Sequence, residues 1–150
     1  MARVTPDQIR QMKVRGERIP MLTAYDYPIA QILDAAGIPM LLVGDTMGMV
    51  VLGYDSTLPV TVDDIIRHTQ AVVRGSKRAL IVADLPFGSF QVGPEETMRH
   101  SVRIMKEAGP QAVKLEGGVR SAASVRMLVE AGIPVMGHVG LTPQSVNVVG

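Results

Sequence analysis

The stretch Ala79-Leu80-Ile81-Val82-Ala83-Asp84 decides the fold of this 150-residue chain. It is an apolar run of strand length that closes on a carboxylate. Four other runs end on an acidic or polar residue: Ile19–Ala24 before Asp26, Pro39–Gly44 before Asp45, Ala112–Leu115 before Glu116 and Pro134–Gly137 before His138. Helical hydrophobic spacing separates them, so the chain reads β-α-β-α. Such repeats form parallel strands whose C-terminal ends lie on one side. Asp26, Asp45, Asp84, Glu116 and His138 are therefore expected to converge on one rim. Carboxylates gathered there suit a hard cation.

The helices carry their own start and stop signals. Thr5-Pro6 opens a short helix that stops near Gly16. Ile29, Ile32, Leu33 and Ala36 make the next apolar stripe, with Gly37 as its stop. Thr61 and Asp64 resemble a capping box, although glutamate or glutamine is the usual partner. Val62, Ile65, Ile66, Thr69, Val72 and Val73 then keep helical spacing. A helix after Pro94 is expected to turn Met98, Val102, Met105 and Ala108 inward. One from Ser121 uses Ala122, Val125, Leu128 and Val129. Thr142-Pro143 would cap a further helix. The stretch from Thr46 to Val60 is long for a connection, and its Met47, Met49, Val50, Val51 and Leu52 are unusual in a solvated loop. It reads either as core packing or an extra short strand, or as a flap or subunit contact.

Five strands could form a complete doubly wound sheet or the first part of a (β/α)8 TIM barrel, which needs about 250 residues. A doubly wound sheet would carry a glycine-rich phosphate loop after its first strand. Here that turn is Thr23-Ala-Tyr-Asp-Tyr27. Carboxylates at successive strand ends, rather than at one switch point, favour the barrel. Residues 1–150 are read as a single domain, the N-terminal part of that barrel.

Composition removes several functions. Net charge is +1 with acids and bases interspersed, which favours neither nucleic acid nor an anionic membrane. Five aromatic residues offer little stacking surface for single strands. Without cysteine there is no disulfide, thiolate zinc site or cysteine nucleophile. No run approaches the ~20 apolar residues of a membrane helix, and a cytoplasmic location is expected.

Asp45 stands in Gly44-Asp45-Thr46 and Asp84 in Ala83-Asp84-Leu85-Pro86. A single strand-end aspartate often caps the next helix; two in such settings favour a shared site. Lys114 and Glu116 lie two apart on one strand and so share a face. A lysine between Val113 and Leu115 needs an anion, either Glu116 in a structural pair or the carboxylate of a substrate. His138, between Gly137 and Gly140, is a further candidate. His68 and His100 read as packing or surface residues, and Asp26 as hydrogen-bonded framework.

These motifs together resemble one family. Thr23-Ala-Tyr-Asp26, Leu42-Val-Gly-Asp-Thr-Met-Gly-Met-Val50, Leu58-Pro-Val-Thr61, Ala83-Asp-Leu-Pro-Phe-Gly88, Val113-Lys-Leu-Glu-Gly117 and Gly137-His-Val-Gly-Leu-Thr-Pro-Gln144 are similar, in collinear order, to ketopantoate hydroxymethyltransferase. The resemblance implies an (α/β)8 barrel that transfers a one-carbon unit from 5,10-methylenetetrahydrofolate to 3-methyl-2-oxobutanoate in pantothenate biosynthesis. It implies Mg²⁺ or another divalent ion on Asp45, Asp84 and Glu116. Asp45, Thr46, Asp84 and Lys114 would bind the oxoacid, with His138 in support and a homo-oligomer as the assembly. The family more often has serine at the place of Thr46, and its general base, a glutamate in a later strand-end region, is expected after Gly150. The alternatives are a metal-dependent oxoacid enzyme of the isocitrate lyase or phosphoenolpyruvate mutase kind, against which the lack of cysteine argues, or a non-catalytic binding fragment.

Overall fold

The computed structural model describes residues 2–149. Its strands are β1 (Met21–Thr23), β2 (Met40–Val43), β3 (Leu80–Asp84), β4 (Ala112–Glu116) and β5 (Val135–His138). All are parallel and pair in the order β1-β2-β3-β4-β5. The helices are α1 (Pro6–Val14), α2 (Tyr27–Ala35), the one-turn α3 (Met47–Val50), α4 (Val62–Gly75), α5 (Pro94–Ala108), α6 (Ala122–Glu130) and α7 (Val146–Val149), with 3₁₀ turns at Val119–Ser121 and Pro143–Ser145.

Strand order separates the two architectures. A doubly wound sheet reverses direction at a switch point and carries helices on both faces. Here every strand pairs with its chain neighbour, and right-handed crossovers then place the connecting helices α2, α4, α5 and α6 on one face. On that face Leu41, Val43 and Ile81 pack with Ala30 and Val72, while Ala83, Val113 and Leu115 pack with Ile65, Ile104 and Leu128. The other face holds Met40, Leu80, Val82 and Ala112, with Val4 and Ile9 against them. This is the sheet of a TIM barrel, five consecutive strands of it.

The N-terminal segment lies at the end of the sheet away from the carboxylates. Val4 N donates to Arg78 O (2.7 Å), and the Arg3 guanidinium donates to Ser76 O (2.8 Å) and Ala79 O (2.7 Å). The capping box of α4 forms with aspartate in place of the usual glutamate. Asp64 N donates to Thr61 Oγ1 (3.1 Å) and Thr61 N to Asp64 Oδ2 (3.0 Å).

Four expectations change. The stripe of α2 is shifted: Ala30 is buried, but Ile29 and Ile32 are exposed. At Gly75 an added Cβ would meet Tyr27 O and Ala30 Cβ, so α2 and α4 touch through their small residues. On α5 the buried positions are Thr97, Ser101, Ile104 and Ala108, Met98 and Met105 are only partly buried, and Val102 is exposed. Thr97 can be buried because its hydroxyl donates to Gly93 O (2.8 Å) and sits 3.1 Å from Ser124 Oγ. Ser124 and Leu128 are likewise the buried positions of α6, while Ala122 and Val129 are exposed. The stretch after Thr46 forms α3 and turns, not a strand. Met47 enters the core, whereas Met49, Val50, Val51 and Leu52 are exposed.

Asp34, at the end of α2, ties that helix to the entry of β3. Its carboxylate accepts from Lys77 N (3.0 Å), Arg78 N (3.0 Å) and Ala79 N (2.7 Å). Burial pushes this carboxyl up, but the three N–H donors outweigh it and hold Asp34 below its ordinary value. A depressed folded pKa stabilises the protein above the unfolded value and stops doing so as pH falls through the folded one. Asp34→Ala is expected to lower unfolding free energy by about 1–3 kcal/mol at neutral pH. Urea titration checks this, and the gap to wild type should narrow in acid.

Candidate functional site

The cluster forms where the C-terminal strand ends meet. The strands run one residue beyond their apolar runs, so Asp84, Glu116 and His138 are the closing residues of β3, β4 and β5. Asp84 is opposite Lys114 in the register, and Glu116 opposite His138. Alternation puts Lys114 and Glu116 on one face. Asp45 follows β2 after Gly44, and Thr46 begins the turn into α3 without a side-chain capping bond.

Lys114 Nζ lies 2.6 Å from Asp84 Oδ1. The other oxygen of Asp84, Oδ2, accepts from Asp45 N (3.2 Å). His138 Nδ1 is 3.5 Å from Glu116 Oε1. One residue joins the halves: the Gln144 side chain donates from Nε2 to Asp45 Oδ2 (2.8 Å) and Leu85 O (3.0 Å), while its backbone N donates to Glu116 Oε2 (3.1 Å). Gln91 Nε2 in turn donates to Gln144 Oε1 (3.0 Å). After β4 the chain turns at Gly117, φ +119°, where a Cβ would collide with Ser121 Oγ. That hydroxyl instead donates to Glu116 O (2.8 Å) and fixes the end of the strand.

Asp45, Asp84, Lys114 and Glu116 are all buried. Burial pushes Asp84 up to about 7; Lys114 pulls against it and Asp45 adds to it. Burial also raises Asp45, opposed by Gln144, Lys114 and His138. Glu116 is raised by burial and then by Asp45, against the Gln144 N–H, Lys114 and His138. When all three carboxylates are ionised around the one ammonium, the cluster carries an excess of two negative charges. An open cavity of about 400 Å³ borders this cluster, lined by Asp45, Thr46, Asp84, Lys114, Glu116 and His138 among others.

The structure thus brings together Asp45, Thr46, Asp84, Lys114, Glu116 and His138. Asp26 stays outside, because its carboxylate caps α2 by accepting from Ile29 N (2.8 Å). The partner of Lys114 is Asp84 and not Glu116, so the structural Lys–Glu pair does not form. Gln144 was not singled out from the sequence. Its one signal is its place at the end of the Gly137–Gln144 motif. His68 anchors the framework, its Nδ1 lying 2.6 Å from Tyr25 O.

The donor set fits a hard divalent ion. Its ligands are oxygen, its fully ionised form carries two excess negative charges, and the cavity leaves room for water or substrate. Among the described residues no three histidine, aspartate or glutamate side chains close into a ready-made metal cage. Mg²⁺ needs none, since one or two carboxylates with waters and substrate oxygens hold it. Among the described residues no helix is long and apolar enough to cross a membrane.

Comparison with known proteins adds the following. The sequence pattern of ketopantoate hydroxymethyltransferase matches residues 3–150. A 3-methyl-2-oxobutanoate hydroxymethyltransferase of Thermobifida fusca is 66% identical over 148 residues, covering 99% of this chain and 53% of the relative. The enzyme of that name from Chloroflexus aurantiacus is 62% identical over 148 residues, with 99% and 52% covered. The chain therefore spans about half the length of these curated relatives. Among solved structures, 2,3-dimethylmalate lyase, a PEP mutase/isocitrate lyase superfamily member, superposes with TM-score 0.62 at 19% identity, covering 91% of this chain and 51% of that one. A phosphonopyruvate hydrolase complex with oxalate and Mg²⁺ gives 0.65 at 13%, covering 89% and 52%. At such identities the likeness is one of fold alone.

Proposed function

The chain belongs to the ketopantoate hydroxymethyltransferase family, and from that premise we propose that its rim cluster binds 3-methyl-2-oxobutanoate for hydroxymethyl transfer. The donor is 5,10-methylenetetrahydrofolate and the product 2-dehydropantoate. The C3–H bond of the oxoacid is replaced by a C3–CH₂OH bond, one water is consumed and tetrahydrofolate leaves. The observation that carries this reading is the strand-embedded Lys114, 2.6 Å from Asp84 inside a ring of buried carboxylates.

Asp45 and Asp84, with Glu116 beside them, would hold Mg²⁺; when bound, the ion supplies Lewis-acid stabilisation for a carbonyl oxygen. Among the described residues the ammonium of Lys114 is the one lysine or arginine cation lining the cavity, and it would grip the oxoacid's carboxylate, with the Thr46 hydroxyl as a second donor. Those contacts orient C3 before reaction. Gln144 holds the carboxylates of Asp45 and Glu116 in place, and His138 supports Glu116. No residue of this cluster is given the task of removing the C3 proton. The same reading takes the protein as a homo-oligomer, supported by the exposed apolar side chains of Met49, Val50, Val51 and Leu52.

The test uses 5,10-methylenetetrahydrofolate labelled in its methylene carbon. The full-length protein, which would include the general base expected after Gly150, is expected with Mg²⁺ and 3-methyl-2-oxobutanoate to place the label in 2-dehydropantoate, and chelation by EDTA should stop it. Folded protein that binds the oxoacid yet never transfers the label would defeat the proposal.

A further inference from the structure

We infer that Gln91, on the loop after β3, is a positioning residue that acts through Gln144 on the carboxylate of Asp45. The inference rests on the reading above, in which Asp45 is one of the carboxylates that hold the ion. It goes beyond that reading by assigning the orientation of Gln144 to a residue that is not among those lining the carboxylates' cavity.

A glutamine amide is asymmetric: its oxygen only accepts and its nitrogen only donates. In one orientation Gln144 offers Asp45 an N–H. Turned over, it offers an oxygen, and the carboxylate is repelled. Backbone groups settle which way it lies. The Gly88 N–H can only donate, so it takes Oε1 of Gln91 (2.7 Å), with Phe90 N as a longer second donor (3.4 Å). That leaves Nε2 of Gln91 to donate to Oε1 of Gln144 (3.0 Å). At the far end Leu85 O can only accept, so it takes Nε2 of Gln144 (3.0 Å), which also donates to Asp45 Oδ2 (2.8 Å). The two fixed ends agree, and both polar atoms of the Gln144 amide are engaged.

Both ends belong to one loop, residues 85–93. Leu85 N donates to Lys114 O (2.8 Å) and Ser89 Oγ to Pro86 O (2.6 Å), so that loop is itself pinned. Gln144 is 5% exposed, where an amide without partners would be costly. Gln91 is exposed, and its own burial calls for no bond to Gln144. A contact that merely tied this loop to the turn Pro143–Ser145 would serve with either polarity. Reversed polarity here would set the Gln144 oxygen against Asp45 Oδ2 and Leu85 O, two acceptors in a buried place. The relay therefore delivers a donor to Oδ2 of Asp45 and holds that carboxylate at the rim.

The test titrates Mg²⁺ alone, by calorimetry, into the full-length protein and its variants Gln91→Glu, Gln144→Met and the two combined. A glutamate in place of Gln91 keeps the length and still accepts from Gly88 N, but it cannot donate to Gln144, whose amide then turns over. As an added negative charge it would by itself tighten a cation. Through the relay it weakens one, so the two effects differ in sign. Gln91→Glu is expected to weaken Mg²⁺ binding by about tenfold, and Gln144→Met by about tenfold to a hundredfold, as for groups that orient a metal ligand. With Gln144→Met already in place, Gln91→Glu should weaken binding no further, since no amide remains to turn. Circular dichroism melts establish that the proteins compared are folded. Affinity in Gln91→Glu equal to or tighter than wild type overturns the relay and leaves the rim site intact. A full tenfold further loss in the combined variant shows Gln91 acting without Gln144, and overturns the relay as well. A wild type that binds no Mg²⁺ overturns the metal reading, and this inference with it.

Discussion

Asp84→Asn is expected to weaken Mg²⁺ binding by more than about tenfold and to depress hydroxymethyl transfer at least as much. The substitution is isosteric, so the acceptor for Asp45 N can remain while one negative charge is lost. That charge is half of the excess available to a divalent ion. Asp84 is also the carboxylate whose ionisation burial resists most visibly, at about 7. A cation beside it would reverse that balance, which makes Asp84 the residue most sensitive to what occupies the cavity. Loss of the anion leaves Lys114 buried without its partner, so the variant should also melt lower. Titration calorimetry with Mg²⁺ alone reads the first effect without any turnover. Unchanged affinity in a folded Asp84→Asn variant would remove Asp84 from the metal site.

Lys114→Met separates substrate recognition from the metal. Methionine keeps the unbranched length and buries readily, but it has no ammonium. A charge-assisted bond to the oxoacid is worth about 1.5–3 kcal/mol, so the apparent KM for 3-methyl-2-oxobutanoate should rise roughly 10- to 150-fold. Mg²⁺ affinity should not fall, because no carboxylate is lost and the ammonium that offsets their charge is gone. The two variants are thus expected to fail differently, one at the ion and the other at the oxoacid. A collapsed melt with normal KM in the surviving enzyme would make the Lys114–Asp84 pair a structural bridge and nothing more.

Much of this was legible in the residues because it depends on local period and on chain direction. Apolar runs of strand length mark β1 to β5, and the polar residues after the last four, Asp45, Asp84, Glu116 and His138, follow their strands to the rim. The cap at Thr61 and Asp64 is equally local. What failed was the helix faces: Ile29 and Ile32 have the spacing of a buried stripe, yet α2 presents Ala30 to α4. A close approach at Gly75 decides that, and no helical period encodes which neighbour comes near.

The sequence by itself determined the succession of parallel strands, the side of the sheet on which Asp45, Asp84, Lys114, Glu116 and His138 gather, and the family motifs they carry. Tertiary structure alone decided their partners. Lys114 and Glu116 are two positions apart on one strand, about 7 Å, whereas the neighbouring strand is about 4.8 Å away. With Asp84 opposite Lys114 in the register, the cross-strand carboxylate wins the ion pair. Asp26 and Asp45 look alike in sequence, but one closes a helix N-terminus and the other accepts from Gln144, which lies 99 residues further along the chain. A bond across that separation exists only once the sheet has curved enough to bring the loop after β5 over the end of β2.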